Sequence, residues 1–225
     1  MRRAVIFDMD GVITDTEKYY VEAQLTHLKE CGQSVTADDL KDMYGSRQTY
    51  IWERLIERYH LGGSIEEHVD RVHELRDELV RTQGLHPMPG VIALIRMLKE
   101  AEVPLAVASS SPLETITHNM EALGIRDCFD ALVTGLECRM GKPDPEIFLL
   151  AAKRLGAAPQ ECVVIEDSGN GVKAAKAAGM YCHVYVPPQA CPQDITAADE
   201  THESYLGLSV EEILRNDRSD ERAGD

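Results

Sequence analysis

Two aspartates, Asp8 and Asp10, stand two residues apart just after a short apolar run and are followed by Gly11. Much further along, Glu166-Asp167-Ser168 closes another apolar run and Ser109-Ser110-Ser111 a third. Carboxylates in that number repel when brought together; at an effective dielectric of about 20 and about 5 Å, each like-charged pair costs roughly 3 kcal/mol. They need protons or a cation, and an oxygen-only donor set with no His or Cys beside it favours a hard ion, Mg²⁺. Mg²⁺ held by few carboxylates and several waters suits phosphate chemistry. In extended backbone Asp8 and Asp10 face the same way, so one could attack phosphorus while the other handles a proton. Lys142, in Gly141-Lys142-Pro143-Asp144-Pro145, is the cation for this acidic pocket and can pair with a carboxylate and with phosphate oxygens. Ser109 precedes a helix start, where hydroxyl and backbone N–H groups favour anions. Alone, each piece reads as a turn, a helix cap or a solvated lysine. Their joint occurrence after successive apolar runs points to a site.

Those runs are the elements that must position the site. Residues 4–7, 103–108, 131–133, 162–165 and 181–186 are continuously rather than alternately apolar, as in strands covered on both faces. Helical patterns fall between them, at 92–99, 112–123, 145–155 and 172–178. The second opens on Ser111-Pro112-Leu113-Glu114, which reads as a capping serine, an N1 proline and a capping-box glutamate. The last three stop at Gly124, Gly156 and Gly179. Strand and helix in alternation predict an α/β fold, a Rossmann-like, mainly parallel sheet. Ligands of such sheets sit at the carboxyl ends of the strands, where these carboxylates and hydroxyls fall. The glycines of Ser168–Gly171 read as turn and cap residues.

The interval between the first two strands breaks the rhythm, since a plain crossover unit needs only about 30 residues and here residues 8–102 intervene. Helices are expected at 17–31, 37–43, 48–59 and 65–81, the last behind a Ser64-Ile65-Glu66-Glu67 capping box. The expectation is a helical cap domain at 15–85 inserted after the first strand of a core made of 1–14 and 86–225, with hinges at 12–14 and 86–89. Ser209-Val210-Glu211-Glu212 caps a final short helix to about residue 215, and 216–225 reads as frayed.

The chain has 225 residues with 39 acidic against 23 basic, a net charge of −16. That sign repels nucleic acid and anionic membranes, so neither is an expected partner. No apolar run approaches the ~18 residues of a membrane span. The four apolar residues between Arg3 and Asp8 are too few for a signal-peptide core, so a cytoplasmic location is expected. A monomer is the default expectation. The six cysteines, Cys31, Cys128, Cys138, Cys162, Cys182 and Cys191, are scattered without a Cys-x-x-Cys pair and read as reduced packing residues, with neither a disulfide framework nor a zinc site expected. Among the eight histidines no two stand at i, i+4; His68 and His73, five apart, would splay on a helix.

With these residues in view, the sequence resembles the haloacid dehalogenase superfamily of phosphohydrolases. Asp8-Met9-Asp10-Gly11-Val12 is similar to its first motif, Ala108-Ser109 to its second, Lys142-Pro143 to its third and Ile165-Glu166-Asp167 to its fourth. The resemblance covers nearly the whole chain and is closest to the β-phosphoglucomutase-like group of sugar phosphatases and mutases. It implies that Asp8 is the nucleophile, forming an aspartyl phosphate, and that Asp10 protonates the leaving group and then deprotonates the acceptor. It implies that Ser109 and Lys142 hold the phosphoryl group, with Gly11 and Ser110 beside them. Mg²⁺ would be held by Asp8, the Asp10 carbonyl and Asp167, with Glu166 a ligand or a neighbour of the ligands. The cap would close over a small phosphorylated substrate, with Thr16, Tyr20, Arg47 and Arg76 as its candidate contacts. The stretch from Asp8 to Thr16 is close to the mutase, but the mutase has a histidine on the first cap helix where Tyr20 stands, and Gly45-Ser46-Arg47 looks more like hexose-phosphate phosphatases. Hydrolysis of sugar phosphates is the preferred expectation and phosphosugar isomerisation the alternative. The metal-free dehalogenases of the superfamily lack the second carboxylate that Asp10 supplies.

Overall fold

The computed structural model describes residues 3–43, 48–187 and 193–215. The chain forms two compact units, Met1–Ile13 with Pro87–Asp225, and Thr14–His86.

The first unit is built on a six-stranded sheet of β1 (Ala4–Phe7), β2 (Leu105–Ser109), β3 (Ala131–Thr134), β4 (Cys162–Glu166), β5 (Tyr181–Tyr185) and β6 (Glu200–His202). All its pairings are parallel and the order is β3-β2-β1-β4-β5-β6. This is the doubly wound arrangement, in which the connections reverse direction between β1 and β4. The continuous apolar character of β1 to β4 has its cause in the two cores. Val5, Phe7, Leu105, Val107, Val163 and Ile165 pack in one with α4 (Val91–Glu100), α5 (Leu113–Ala122) and α8 (Val210–Leu214). Ala4, Ile6, Ala106, Ala108, Val164 and Val184 pack in the other with α6 (Glu146–Leu155) and α7 (Gly169–Ala177).

The second unit packs α1 (Glu17–Glu30), α2 (Gln48–Tyr59) and α3 (Ile65–Gln83) around Ala23, Leu28, Trp52, Leu55 and Val72. The expected capping box is present: the Ser64 side chain accepts from Glu67 N, and the Glu67 side chain accepts from Ser64 N.

Three local expectations need correction. Residues Ala37–Met43 form a 3₁₀ segment rather than an α-helix. There Asp39 Oδ2 accepts from both Thr36 N and Thr36 Oγ1 at 2.9 and 2.7 Å, a local bond that competes with regular helix. Strand β6 was not foreseen, because Glu200-Thr201-His202 has no apolar run and pairs only at the sheet edge. Ser111 does not cap α5; the residue at the cap position is Pro112, with no side-chain cap bond. The expected fraying of 216–225 lies outside the described residues. Among the described residues no helix is long and apolar enough to cross a membrane.

Candidate active site

The reversal between β1 and β4 is where a doubly wound sheet offers a crevice. Phe7 pairs in register with Ile165, and the next residue, Asp8, donates its N–H to the Ile165 carbonyl at 2.9 Å. Asp8 therefore sits at the carboxyl end of β1, directly beside the end of β4, where Glu166 and Asp167 follow. Ser109 ends β2 and is buried; Ser110 is exposed.

Lys142 lies before α6 and joins these strand ends. Its Nζ donates to Asp8 Oδ1 at 2.5 Å, to Glu166 Oε1 at 2.6 Å and, longer, to the Ala108 carbonyl at 3.4 Å. The Phe148 ring lies 4.9 Å from the ammonium. Asp8 and Glu166 are buried, with 7 % and 1 % of their surface exposed. The expected pairing of Lys142 with a carboxylate is thus a two-carboxylate bridge in a low-dielectric setting.

Glu166, expected as a metal ligand or a neighbour of the ligands, is bonded to protein donors at both carboxylate oxygens. Beyond the Lys142 bond on Oε1, its Oε2 accepts from Asp167 N at 2.8 Å, Ser168 N at 2.8 Å and Ser168 Oγ at 3.0 Å. Both oxygens are engaged by protein donors, so this carboxylate anchors Lys142. Ser168 in turn caps α7, its Oγ accepting from Gly171 N at 3.0 Å. Gly171 is required here, since a Cβ would come within 1.8 Å of Glu166 Oε1. A Cβ on Gly11, which has φ +80°, would come within 2.0 Å of Asp167 Oδ2. The Asp167 carboxylate therefore lies over the backbone that carries Asp8 and Asp10.

Asp10 is not reached through extended backbone. The chain bends at Met9 and turns, with Ile13 N donating to Met9 O at 2.8 Å. Its Oδ2 accepts from Ser111 Oγ at 3.1 Å. Ser111 is held in turn: its N–H donates to Ser109 Oγ at 3.1 Å, and its carbonyl accepts from Thr134 Oγ1 at 2.7 Å. This is why Ser111 is not a cap; its hydroxyl is directed to Asp10. Ser111 and Thr134 were missed as site residues because the Ser-Pro pair reads as a helix start, and nothing in sequence links either residue to Asp10.

Charge balance points to a further cation. Burial above all, with the negative charges of Glu166 and Asp10, outweighs Lys142 and pushes the Asp8 carboxyl up to about 7. Burial also opposes ionisation of Glu166, but Lys142 and the backbone N–H donors of Ser168 and Asp167 together hold it below its ordinary value. Lys142 is held well above its ordinary value by Asp8 and Glu166, against the opposing effect of its own burial. Among the described residues Lys142 is the ammonium bonded to the buried carboxylates of Asp8 and Glu166, and the same strand ends also carry Asp10 and Asp167. An oxygen-only set with that excess fits a small hard divalent ion.

The remaining candidates lie in the second unit. Thr16 is buried, its Oγ1 2.9 Å from Thr14 Oγ1. Tyr20 lies 5.4 Å beneath the Arg76 guanidinium and meets His73 edge-on. Arg76 is buried on α3, and its NH1 donates to Asp77 Oδ1 at 2.8 Å. Arg47 lies outside the described residues.

Comparison with known proteins identifies the family. The haloacid dehalogenase-like hydrolase family model matches residues 2–179. A phosphorylated carbohydrates phosphatase of Thermotoga maritima is 38 % identical over 177 residues, covering 79 % of this chain and 82 % of its own length. Hexitol phosphatase B of Escherichia coli K12 is 35 % identical over 215 residues, covering 94 % and 96 %. The crystal structure of a putative β-phosphoglucomutase of Thermotoga maritima superposes with a TM-score of 0.71 at 33 % identity, covering 94 % of this chain and 96 % of that one. With carboxylates gathered at the strand ends, a lysine bridge and relatives of this kind, the chain belongs to the haloacid dehalogenase-like hydrolases and is a phosphatase.

Proposed function

We propose that this phosphatase releases inorganic phosphate from small phosphorylated sugars or sugar alcohols, with Asp8 as the covalent nucleophile and Asp10 as the acid and base. The substrate class follows the names of the two phosphatase relatives. The observation that carries the mechanism is the Lys142 bridge between Asp8 and Glu166. Lys142 fixes the orientation of the Asp8 carboxylate and presents positive charge where phosphoryl oxygens gather. An Asp8 oxygen attacks phosphorus, the bond to the leaving oxygen breaks, and Asp10 gives its proton to that oxygen. Asp10 then takes a proton from water, whose oxygen displaces Asp8 and frees phosphate. Ser111 keeps the Asp10 carboxyl aimed during both transfers. Ser109, with Ser110 and the Gly11 backbone, receives phosphate oxygens. Mg²⁺ would be held by Asp8, the Asp10 carbonyl and Asp167, and would neutralise charge developing on the phosphoryl group. Glu166 positions Lys142. Thr16, Tyr20, Arg47 and Arg76 are assigned to substrate selection.

The test is phosphate release from a panel of phosphorylated metabolites and from p-nitrophenyl phosphate. Asp8→Asn should abolish turnover with the fold intact, and EDTA should silence the wild type until Mg²⁺ is restored. Full activity of the variant refutes the nucleophile. Isomerisation of β-glucose 1-phosphate in the presence of a bisphosphate primer, faster than phosphate release, refutes hydrolysis as the main reaction.

A further inference from the structure

Within the helical unit, on residues given no part above, His27 and His68 meet ring to ring beside Cys31. Each of the three offers one donor atom, and these atoms lie within 4.8 Å of one another. His27 is on α1, Cys31 follows the last residue of that helix, and His68 is in the first turns of α3. The two imidazoles approach through His27 Nε2 and His68 Nδ1, 2.8 Å apart.

The outward nitrogens decide what lies between. His68 Nε2 is 2.8 Å from the Gly62 carbonyl, and His27 Nδ1 is 3.1 Å from Glu30 Oε2. A carbonyl accepts only, so His68 Nε2 carries a hydrogen. Glu30 is an acceptor too. Arg71 donates to both its oxygens, at 3.0 and 2.6 Å, so both are engaged as acceptors. His27 Nδ1 therefore also carries a hydrogen. In two neutral rings both inward nitrogens are then bare lone pairs facing each other at 2.8 Å. Something positive must sit between them. A proton would leave an imidazolium among buried rings, with Trp52 stacked on His68 at 4.8 Å and tilted against His27 at 4.9 Å, and burying a charge is costly.

We propose that the helical unit binds one Zn²⁺ through His27 Nε2, His68 Nδ1 and the Cys31 thiolate, with water as the fourth ligand. Imidazole and thiolate donors suit zinc, not the hard ion of the carboxylate site. The outward hydrogen bonds are those that orient zinc-bound histidines, one to a carboxylate and one to a backbone carbonyl. Tetrahedral ligands with bonds of about 2.0–2.1 Å stand about 3.3 Å apart, so the rings need separate by only about half an ångström. Cys31 is half-buried and reachable from solvent. On binding, its thiol proton and any proton shared by the rings pass to water. The ion ties the end of α1 to the start of α3. The sequence held a partial sign of this: His27 and Cys31 stand at i, i+4, a His–Cys spacing that a search for His–His and Cys–Cys pairs passes over.

The test uses the full chain with excess Mg²⁺ to fill the carboxylate site, titrated with Co²⁺ as a spectroscopic probe and then with Zn²⁺. The expected result is one Co²⁺ per chain, with tetrahedral visible bands and a thiolate charge-transfer band, displaced by Zn²⁺. Cys31→Ala should remove the charge-transfer band, weaken Zn²⁺ binding at least tenfold, cancel the Zn²⁺-induced rise in Tm and leave phosphatase activity unchanged. His68→Gln should weaken binding similarly; should it not fold, Cys31→Ala, at a half-buried position, carries the test alone. Cobalt binding that survives both substitutions, or no binding at micromolar metal, overturns the site. So does a helical unit whose stability follows pH and ignores Zn²⁺, since a shared proton then fills the gap.

Discussion

Lys142 in the α/β unit and Arg71 in the helical unit each bridge two carboxylates, but at opposite extremes of burial. Lys142 joins Asp8 and Glu166, and the side chains of all three are 10 % exposed or less. Arg71 joins Glu30 and Glu74, with side chains 40–69 % exposed. The first is costly to assemble, because three charges leave water; the second keeps its solvation and is screened by salt. A fold that only needed stability would favour the second arrangement. The buried bridge therefore marks where charge is kept for chemistry, and the two networks should respond to substitution in proportion.

The largest effect is expected from Lys142→Ala. It leaves Asp8 and Glu166 buried without their shared cation, a loss of about 3–5 kcal/mol in urea unfolding, softened to the extent that Asp8 takes up a proton. Phosphate release should fall about 10²–10³-fold, as when one charge-stabilising donor is removed from an active site. A variant within about 1 kcal/mol of wild type would show that the bridge is not the buried network described.

Gly171→Ala should come next, and it acts without touching a charge. The added methyl would sit 1.8 Å from Glu166 Oε1, so the carboxylate must move and Lys142 loses one of its two anchors. Overpacking of this kind costs about 1–3 kcal/mol. The sharper readout is a fall in kcat with KM nearly unchanged, because Lys142 is misplaced while the side chains proposed for substrate selection are not. A change in KM alone would place Glu166 in substrate binding instead.

The contrast between the units also explains what was legible. Asp8, Asp10, Glu166 and Asp167 could be read because buried parallel strands are continuous apolar runs, and whatever ends them stands at the crevice; Lys142 could be read as the cation such an acidic pocket needs. Ser111 was misread because Ser-Pro is a local cap signature, whereas its hydroxyl is claimed by Asp10, 101 residues away. Sequence left Glu166 between ligand and neighbour of the ligands for a similar reason, since three of its four donors come from Asp167 and Ser168 next to it and the fourth from distant Lys142. Edge strand β6 is polar throughout and carries no periodic signal. In the helical unit a helix face is set by packing partners, so Tyr20 and Arg76 could be named but their mutual stacking could not. His27, Cys31 and His68 were invisible as a group because His68 stands on another helix, 41 residues from His27.

The smallest effect belongs to the exposed network, and its sign can be worked out. Glu30 titrates at about 2 in the folded chain, first because of the Arg71 hydrogen bond, against an ordinary value of 4.5. A depressed carboxyl contributes stability that is complete above about pH 4.5 and drains away as pH falls towards 2. The size follows exposure rather than the shift itself, since solvent screens a pair this open and such pairs are worth about 0.2–1 kcal/mol. Glu30→Gln, which keeps an oxygen acceptor for His27 Nδ1, should therefore cost less than about 1 kcal/mol in zinc-free protein at pH 7. The difference from wild type should shrink between pH 4.5 and 2, and also in 0.5 M salt at pH 7. A loss as large as that of Lys142→Ala, insensitive to salt, would mean that Glu30 and Arg71 are shielded from water, and the difference in burial would no longer separate the two bridges.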